Sequence, residues 1–185
     1  MDTPKISLLY IEGLKLNLAS SVEKHVENVF SGFSCVRGFV SRDVLSGSFN
    51  PARRQYYSTI ILRNLKEYTH KMDAKKFLLI VDVDLYVPRL NFVFGEALFP
   101  GKFAVVSVFR LKPEFYGAAA DDLLLLSRLK KEVIHELGHT FGLSHCENPK
   151  CVMHFSNSII DTDNKLDIFC SACNLKLLRL MEGVR

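Results

Sequence analysis

The sequence predicts an α/β domain built on a mixed, mostly parallel sheet. Segments of strand character alternate with segments of helical periodicity through the N-terminal part of the chain. The run Phe77-Leu78-Leu79-Ile80-Val81 is continuously apolar, as a strand covered on both faces requires. Two further strand candidates are joined by Pro100-Gly101, a turn compatible with a hairpin, so one strand is expected to run antiparallel. The 185 residues, 48% hydrophobic and 24% charged, suit a globular domain and disfavour disordered, fibrous and disulfide-stapled miniprotein classes.

In chain order, Lys5 to Ile11 reads as a strand. Ala19 to Phe30 reads as a helix opened by Ser20 or Ser21, with Val22, Val26, Val29 and Phe30 on one face. Cys35 to Leu45 carries β-branched and aromatic residues and predicts a second strand. Pro51 to Thr69 places Tyr56, Ile60, Ile61, Leu65 and Tyr68 at helical spacing after a start that tolerates proline. Phe77 to Val87 is expected as the central strand, followed by strands over Asn91 to Phe99 and Lys102 to Leu111. Asp121 or Asp122 then caps a helix that turns Leu125, Leu129, Val133 and Leu137 to the core and stops at Gly142, where a left-handed residue is easily accommodated.

No repeat, low-complexity tract or linker divides the chain. We expect residues 1–185 to form a single domain, with a sheet and helix part over 1–142 and a C-terminal part over 143–185. The net charge of +4 comes from basic residues spread along the chain rather than gathered in a stripe, so nucleic acid is not an expected partner. Leu90 to Leu111, the most apolar long stretch, is broken by Glu96, Pro100, Gly101, Lys102 and Arg110 and cannot span a bilayer. No export signal is visible at the N-terminus, and a soluble cytoplasmic protein, monomeric by default, is expected.

The chemistry lies in His135-Glu136-Leu137-Gly138-His139, followed by Gly142 and His145. Residues four apart on a helix differ by about 400° of rotation and about 6 Å of rise, so His135 and His139 project from one face toward one ion. Zinc prefers a tetrahedron and needs a third ligand from another direction, which Gly142 and His145 supply. A fourth position left to water would lower its pKa to about 7 and yield hydroxide at neutral pH. Glu136, beside the first ligand, is placed to take the proton from that water and pass it to a leaving amine. His25 and His70 lack such company and read as ordinary hydrogen-bonded residues.

Cys146 and Cys151 form a C-x₄-C pair, and Cys170 and Cys173 a C-x₂-C pair. Two such pairs can close a Cys₄ zinc site, and the intervening Val152 to Phe169, with few periodic apolar residues, has little else to fix it. Two disulfides are the alternative, disfavoured in a reducing compartment. A redox C-x₂-C pair is another, and it leaves the C-x₄-C pair without a role. Cys146 adjoins His145 and could in principle ligate the first metal; assigning His145 there keeps both cysteine pairs complete. Cys35 reads as a small buried hydrophobe.

Through HELGHTFGLSHC, ENPKCVM and FCSAC, the segment from Glu132 to Cys173 resembles the archaemetzincins, zinc metallopeptidase-like proteins. The resemblance implies a metzincin-like fold: a twisted mixed sheet with one antiparallel edge strand above a cleft, an active-site helix, and a C-terminal Cys₄ zinc-stapled region with a terminal helix. It implies His135, His139 and His145 as ligands of a catalytic zinc and Glu136 as general base. It further implies Cys146, Cys151, Cys170 and Cys173 as ligands of a structural zinc and Met153 as the methionine of a Met-turn beneath the metal. Two zinc ions and a peptide or protein substrate follow. Two departures stand out: Phe155 occupies a position where some metzincins have a tyrosine able to assist the oxyanion, and the spacing from Met153 to Cys170 is one residue shorter than the family pattern.

The resulting expectation is a zinc-dependent peptidase, with a non-catalytic or latent zinc-binding regulatory protein as the alternative, which Phe155 mildly favours. Asn91 to Phe99, if an edge strand, could add a substrate peptide as an extra strand. No substrate-contacting side chain, and no choice between internal cleavage and end-trimming, follows from the sequence.

Overall fold

The computed structural model describes residues 3–14 and 19–184. β1 (Lys5–Ile11) and β2 (Ser34–Val40) flank α1 (Ala19–Val29). Ser20 and Ser21 lie inside the first turn of α1, and its cap position falls outside the described residues. Beyond β2 the chain leaves the sheet: Ser41 accepts the Asp43 N–H and opens a single 3₁₀ turn over Arg42–Leu45. Val44 and Leu45 therefore reach the core from a turn, which shortens the strand expected over Cys35 to Leu45.

The helix expected from Pro51 starts later. β3 (Phe49–Asn50) and β4 (Gln55–Tyr57) pair antiparallel, and α2 (Ser58–Tyr68) begins only after them. Asn50 Oδ1 accepts the backbone N–H groups of Ala52 and Arg53, and Arg54 sits at φ 55, so this is a side-chain-stabilised turn. β5 (Lys76–Val81) is buried at every residue, and β6 (Leu85–Tyr86) is a separate short strand paired with β4. β7 (Gly95–Ala97) and β8 (Phe103–Ser107) form the expected hairpin across Pro100-Gly101.

The main sheet has the order β2-β1-β5-β8-β7, parallel except for β7, which is antiparallel at one edge. Alternation along its strands splits the core. Ile6, Leu8, Leu78, Ile80 and Val106 face α1 and α3 (Asp122–Phe141), while Leu9, Ile11, Leu79, Val81 and Val105 face α2. Lys76, at the start of β5, donates its buried ammonium to the carbonyls of Gly101 and Thr140 at 2.7 Å each, which fixes the hairpin turn against the C-terminal end of α3.

α3 opens where Asp121 accepts the Leu124 N–H at 2.9 Å, and it stops at Gly142, whose φ of 103° admits the Leu143 N–H to the Gly138 carbonyl. The segment expected as a metal-fixed loop between Val152 and Phe169 has a framework of its own. α4 (Ile159–Asn164) carries a capping box of Ser158 and Asp161. Arg128 grips Asp163 through two hydrogen bonds of 2.7 Å, and Lys131 donates to the carbonyls of Thr162 and Asp163 at the end of α4. These anchors sit on α3, so the polar segment is held by the helix that also carries the histidines. α5 (Ser171–Glu182) closes the fold, burying Cys173, Leu177 and Met181.

Candidate metal centres and cleft

The exit of α3 at Gly142 brings His145 back over the turn that carries His135 and His139. His139 Nε2 lies 3.1 Å from His135 Nε2 and 3.2 Å from His145 Nε2. A tetrahedral zinc with Zn–N bonds of about 2.0 to 2.1 Å holds its nitrogens about 3.3 to 3.4 Å apart, so this trio fits one ion with little adjustment. The opposite ring nitrogens are engaged. His135 Nδ1 donates to the Val152 carbonyl at 2.8 Å and His139 Nδ1 to the Leu143 carbonyl at 2.7 Å, which orients both rings and leaves each Nε2 lone pair for metal.

Burial keeps these imidazoles neutral, the form that ligates. It drives His135 well below the usual histidine range, helped by the Lys165 charge, and it takes His139 down to about 4. His145 is lowered for the same reason, again with Lys165 as a secondary cause. Glu136 moves the other way: burial, then the Glu132 charge, pushes its carboxyl well above the usual range. Such a carboxylate is avid for a proton, as a general base requires.

Room for Glu136 comes from the sheet. A Cβ on Gly95 of β7 would stand 2.7 Å from Glu136 Cγ and 2.7 Å from the Val105 carbonyl oxygen. The strand backbone cannot yield, so Glu136 would have to move. We expect Gly95→Ala to displace the Glu136 side chain while the metal content of the histidine group stays unchanged; an unmoved Glu136 in a crystal structure of Gly95→Ala would contradict this. Beneath the trio, Met153 is fully buried and packs where a Gly138 Cβ would be, 2.6 Å from its sulfur. The Cys146 N–H donates to the Met153 carbonyl, tying this turn to the loop that carries His145.

The sulfurs of Cys146, Cys151, Cys170 and Cys173 lie within 4.8 Å of one another, and all four thiols are free. Cys146 and Cys170 are 3.8 Å apart at sulfur, the separation that about 2.3 Å Zn–S bonds impose in a tetrahedron. Cys170, at the start of α5, accepts the Cys173 N–H, the main reason its thiol is pulled down to about 7. The Cys170 N–H in turn donates to Cys151 sulfur at 3.3 Å. Cys35 stands apart on β2, where burial and then Glu23 and Glu27 push its thiol up to about 12 and keep it protonated. His25 contacts the Asp167 carbonyl and His70 its own turn, both outside the two clusters.

Beside the histidines a cavity of about 190 Å³ is lined by β7, by Glu132 and Glu136 of α3, and by Phe155 and Ser156. Ala97, Phe99, Ser144 and the same His139 and His145 bound a second recess of about 320 Å³. The Phe155 ring packs on His145 with centroids 4.8 Å apart, and the neighbouring Ser156 hydroxyl is buried with no protein partner. Glu132, Gly95 and Ser156 were not singled out from sequence. The strand alternation that turns Gly95 toward α3, and the one-turn spacing from Glu132 to Glu136, are the signals that point to the first two.

Comparison with known proteins agrees with this geometry. A profile described as peptidase family M54 matches residues 10–179. The chain is 46% identical over 170 residues to the archaemetzincin of Thermococcus kodakarensis, covering 90% of this chain and 91% of that protein. The crystal structure of the Methanopyrus kandleri archaemetzincin superposes with a TM-score of 0.85 at 36% identity, over 97% of this chain and 96% of that one. A structure described as a zinc-dependent peptidase from Methanocorpusculum labreanum gives 0.84 at 32% identity, over 93% and 99%.

Proposed function

The chain belongs to peptidase family M54, the archaemetzincins, and is a zinc metallopeptidase; from that premise we propose that His135, His139 and His145 hold its catalytic zinc and that Glu136 is the general base. The convergence of three Nε2 atoms beside an open cavity, with Glu136 on the same wall, carries this assignment. Among the described residues the histidine group contains no fourth protein ligand, which favours hydrolysis over a sealed zinc store.

A zinc held by His135, His139 and His145 would supply Lewis-acid chemistry at a substrate carbonyl and lower the pKa of water toward neutral. The chain's own residues do the rest. Glu136 accepts the proton of the attacking water and delivers it to the leaving amine nitrogen as the C–N bond breaks. The free edge of β7 hydrogen-bonds an extended peptide and presents its scissile bond to the trio. Phe155 has no hydroxyl to offer the oxyanion.

We read the four cysteines as the cage of a second, structural zinc and Met153 as the floor of the histidine site. Residues from both the 1–142 and 143–185 parts share one core cluster, Val133 and Leu137 with Met153, Phe169 and Met181, which supports a single domain. No helix among the described residues is long and apolar enough to cross a membrane. The assignment of the trio is tested with His145→Ala. One of two zinc ions per chain should be lost while the melting temperature changes little; retention of both zincs would refute the histidine ligand set.

A further inference from the structure

The chain between β8 and α3 carries Phe109, Phe115 and Tyr116, which are 36%, 41% and 44% exposed and belong to neither core cluster. They are not scattered. The Phe115 ring meets those of Phe109 and Tyr116 with centroids 5.5 and 5.0 Å apart. Arg110 joins this group to the cleft. Its guanidinium carbon lies 4.7 Å from the Phe115 ring centroid and 4.4 Å from that of Phe92, and Phe92 lines the cavity beside the histidines. Leu90, also exposed, lines the same cavity.

An unpaired guanidinium would make this shelf cationic. Asp84 prevents that by accepting two hydrogen bonds from Arg110, at 2.6 and 2.7 Å, and Gln55 donates to the same carboxylate at 3.1 Å. The Tyr116 hydroxyl donates to the Arg110 carbonyl at 2.9 Å, which ties the outer ring to the same residue. The other charges of the segment, Lys112 and Glu114, are opposite in sign. What is left is a braced aromatic surface continuous with the cleft, and a contiguous exposed apolar surface of this kind marks a contact site. We propose that the shelf is a substrate exosite that holds an aromatic-rich stretch of an extended polypeptide several residues away from the scissile bond. Continuity decides the occupant. A chain lying along the free edge of β7 passes from the cavity onto the shelf over the Phe92–Arg110 stack, so the second contact needs no separate encounter. The inference rests on the assignment of the histidine site above, which sets the scissile bond beside that cavity.

The test uses the zinc-loaded Glu136→Gln protein, so that peptides bind without being cut, with affinity read by calorimetry. Three peptides share one short central sequence: one has Gly-Ser flanks, one a Phe/Tyr-rich N-terminal flank, and one a Phe/Tyr-rich C-terminal flank. One of the two aromatic peptides should bind about 10-fold tighter than the Gly-Ser peptide, the gain expected of a few aromatic contacts. Phe115→Ala should remove that gain and leave the affinity of the Gly-Ser peptide as it was, and Phe109→Ala should reduce it. No gain on either flank, equal gains on both, or a gain that survives both substitutions overturns the proposal and leaves the histidine site standing. A dimer seen in sedimentation and dissociated by Phe115→Ala assigns the shelf to a second copy of the chain and overturns it as well. If the Gly-Ser peptide binds the Glu136→Gln/His145→Ala protein equally well, the histidine-site reading fails and this inference falls with it.

Discussion

Glu136→Gln should abolish peptide hydrolysis, lowering turnover about 10²- to 10⁴-fold while leaving both metals in place. The substitution keeps the shape of the side chain that fits against Gly95 and removes its capacity to take a proton. Glu136 is not among the grouped ligand residues, so zinc content should not follow activity down. Burial raises its carboxyl above the usual range, the direction a group that takes a proton from water and returns it to an amine needs. Measured with a peptide library and mass spectrometry, equal cleavage by the wild-type and variant proteins would remove Glu136 from the mechanism.

The second large effect is on stability. Cys170→Ser should cost the second zinc and lower the melting temperature by well over 10 °C, whereas His145→Ala should leave it nearly unchanged. A structural zinc contributes about 10 to 16 kcal/mol of apparent binding free energy in small zinc domains. Part of that survives here without metal, because α4 is anchored to α3 through Arg128, Lys131 and Lys165. The C-terminal region should therefore loosen, with faster hydrogen exchange in α5 and around Cys151, rather than lead to global unfolding. Identical melting of the Cys170→Ser and His145→Ala proteins would contradict the division of labour between the two centres.

Much of the site was legible because its determinants are local. The α3 boundaries follow from Asp121 and Gly142, and the histidine spacing needs only helical geometry. The β7–β8 hairpin was likewise announced by Pro100-Gly101, and its antiparallel place at the sheet edge follows. What failed depended on tertiary partners. Tyr56 fits a helical stripe with Ile60 and Leu65, but β4 pairs with β6 across a gap in sequence and takes Tyr56 out of the helix. α4 was invisible as an apolar pattern because ion pairs and carbonyl caps from α3 hold it, not periodic burial. Lys165, the single lysine of an otherwise polar segment, is fully buried against Glu132, and nothing in its sequence neighbourhood marks that.

The most direct measurement is X-ray absorption at the zinc edge on the purified protein, combined with metal counting. Two zincs per chain are expected, one in a four-sulfur shell and one in a shell of three imidazole nitrogens and a light solvent atom. A protein whose sulfur site is full and which still shows no zinc bound to imidazole would contradict the catalytic assignment at its root.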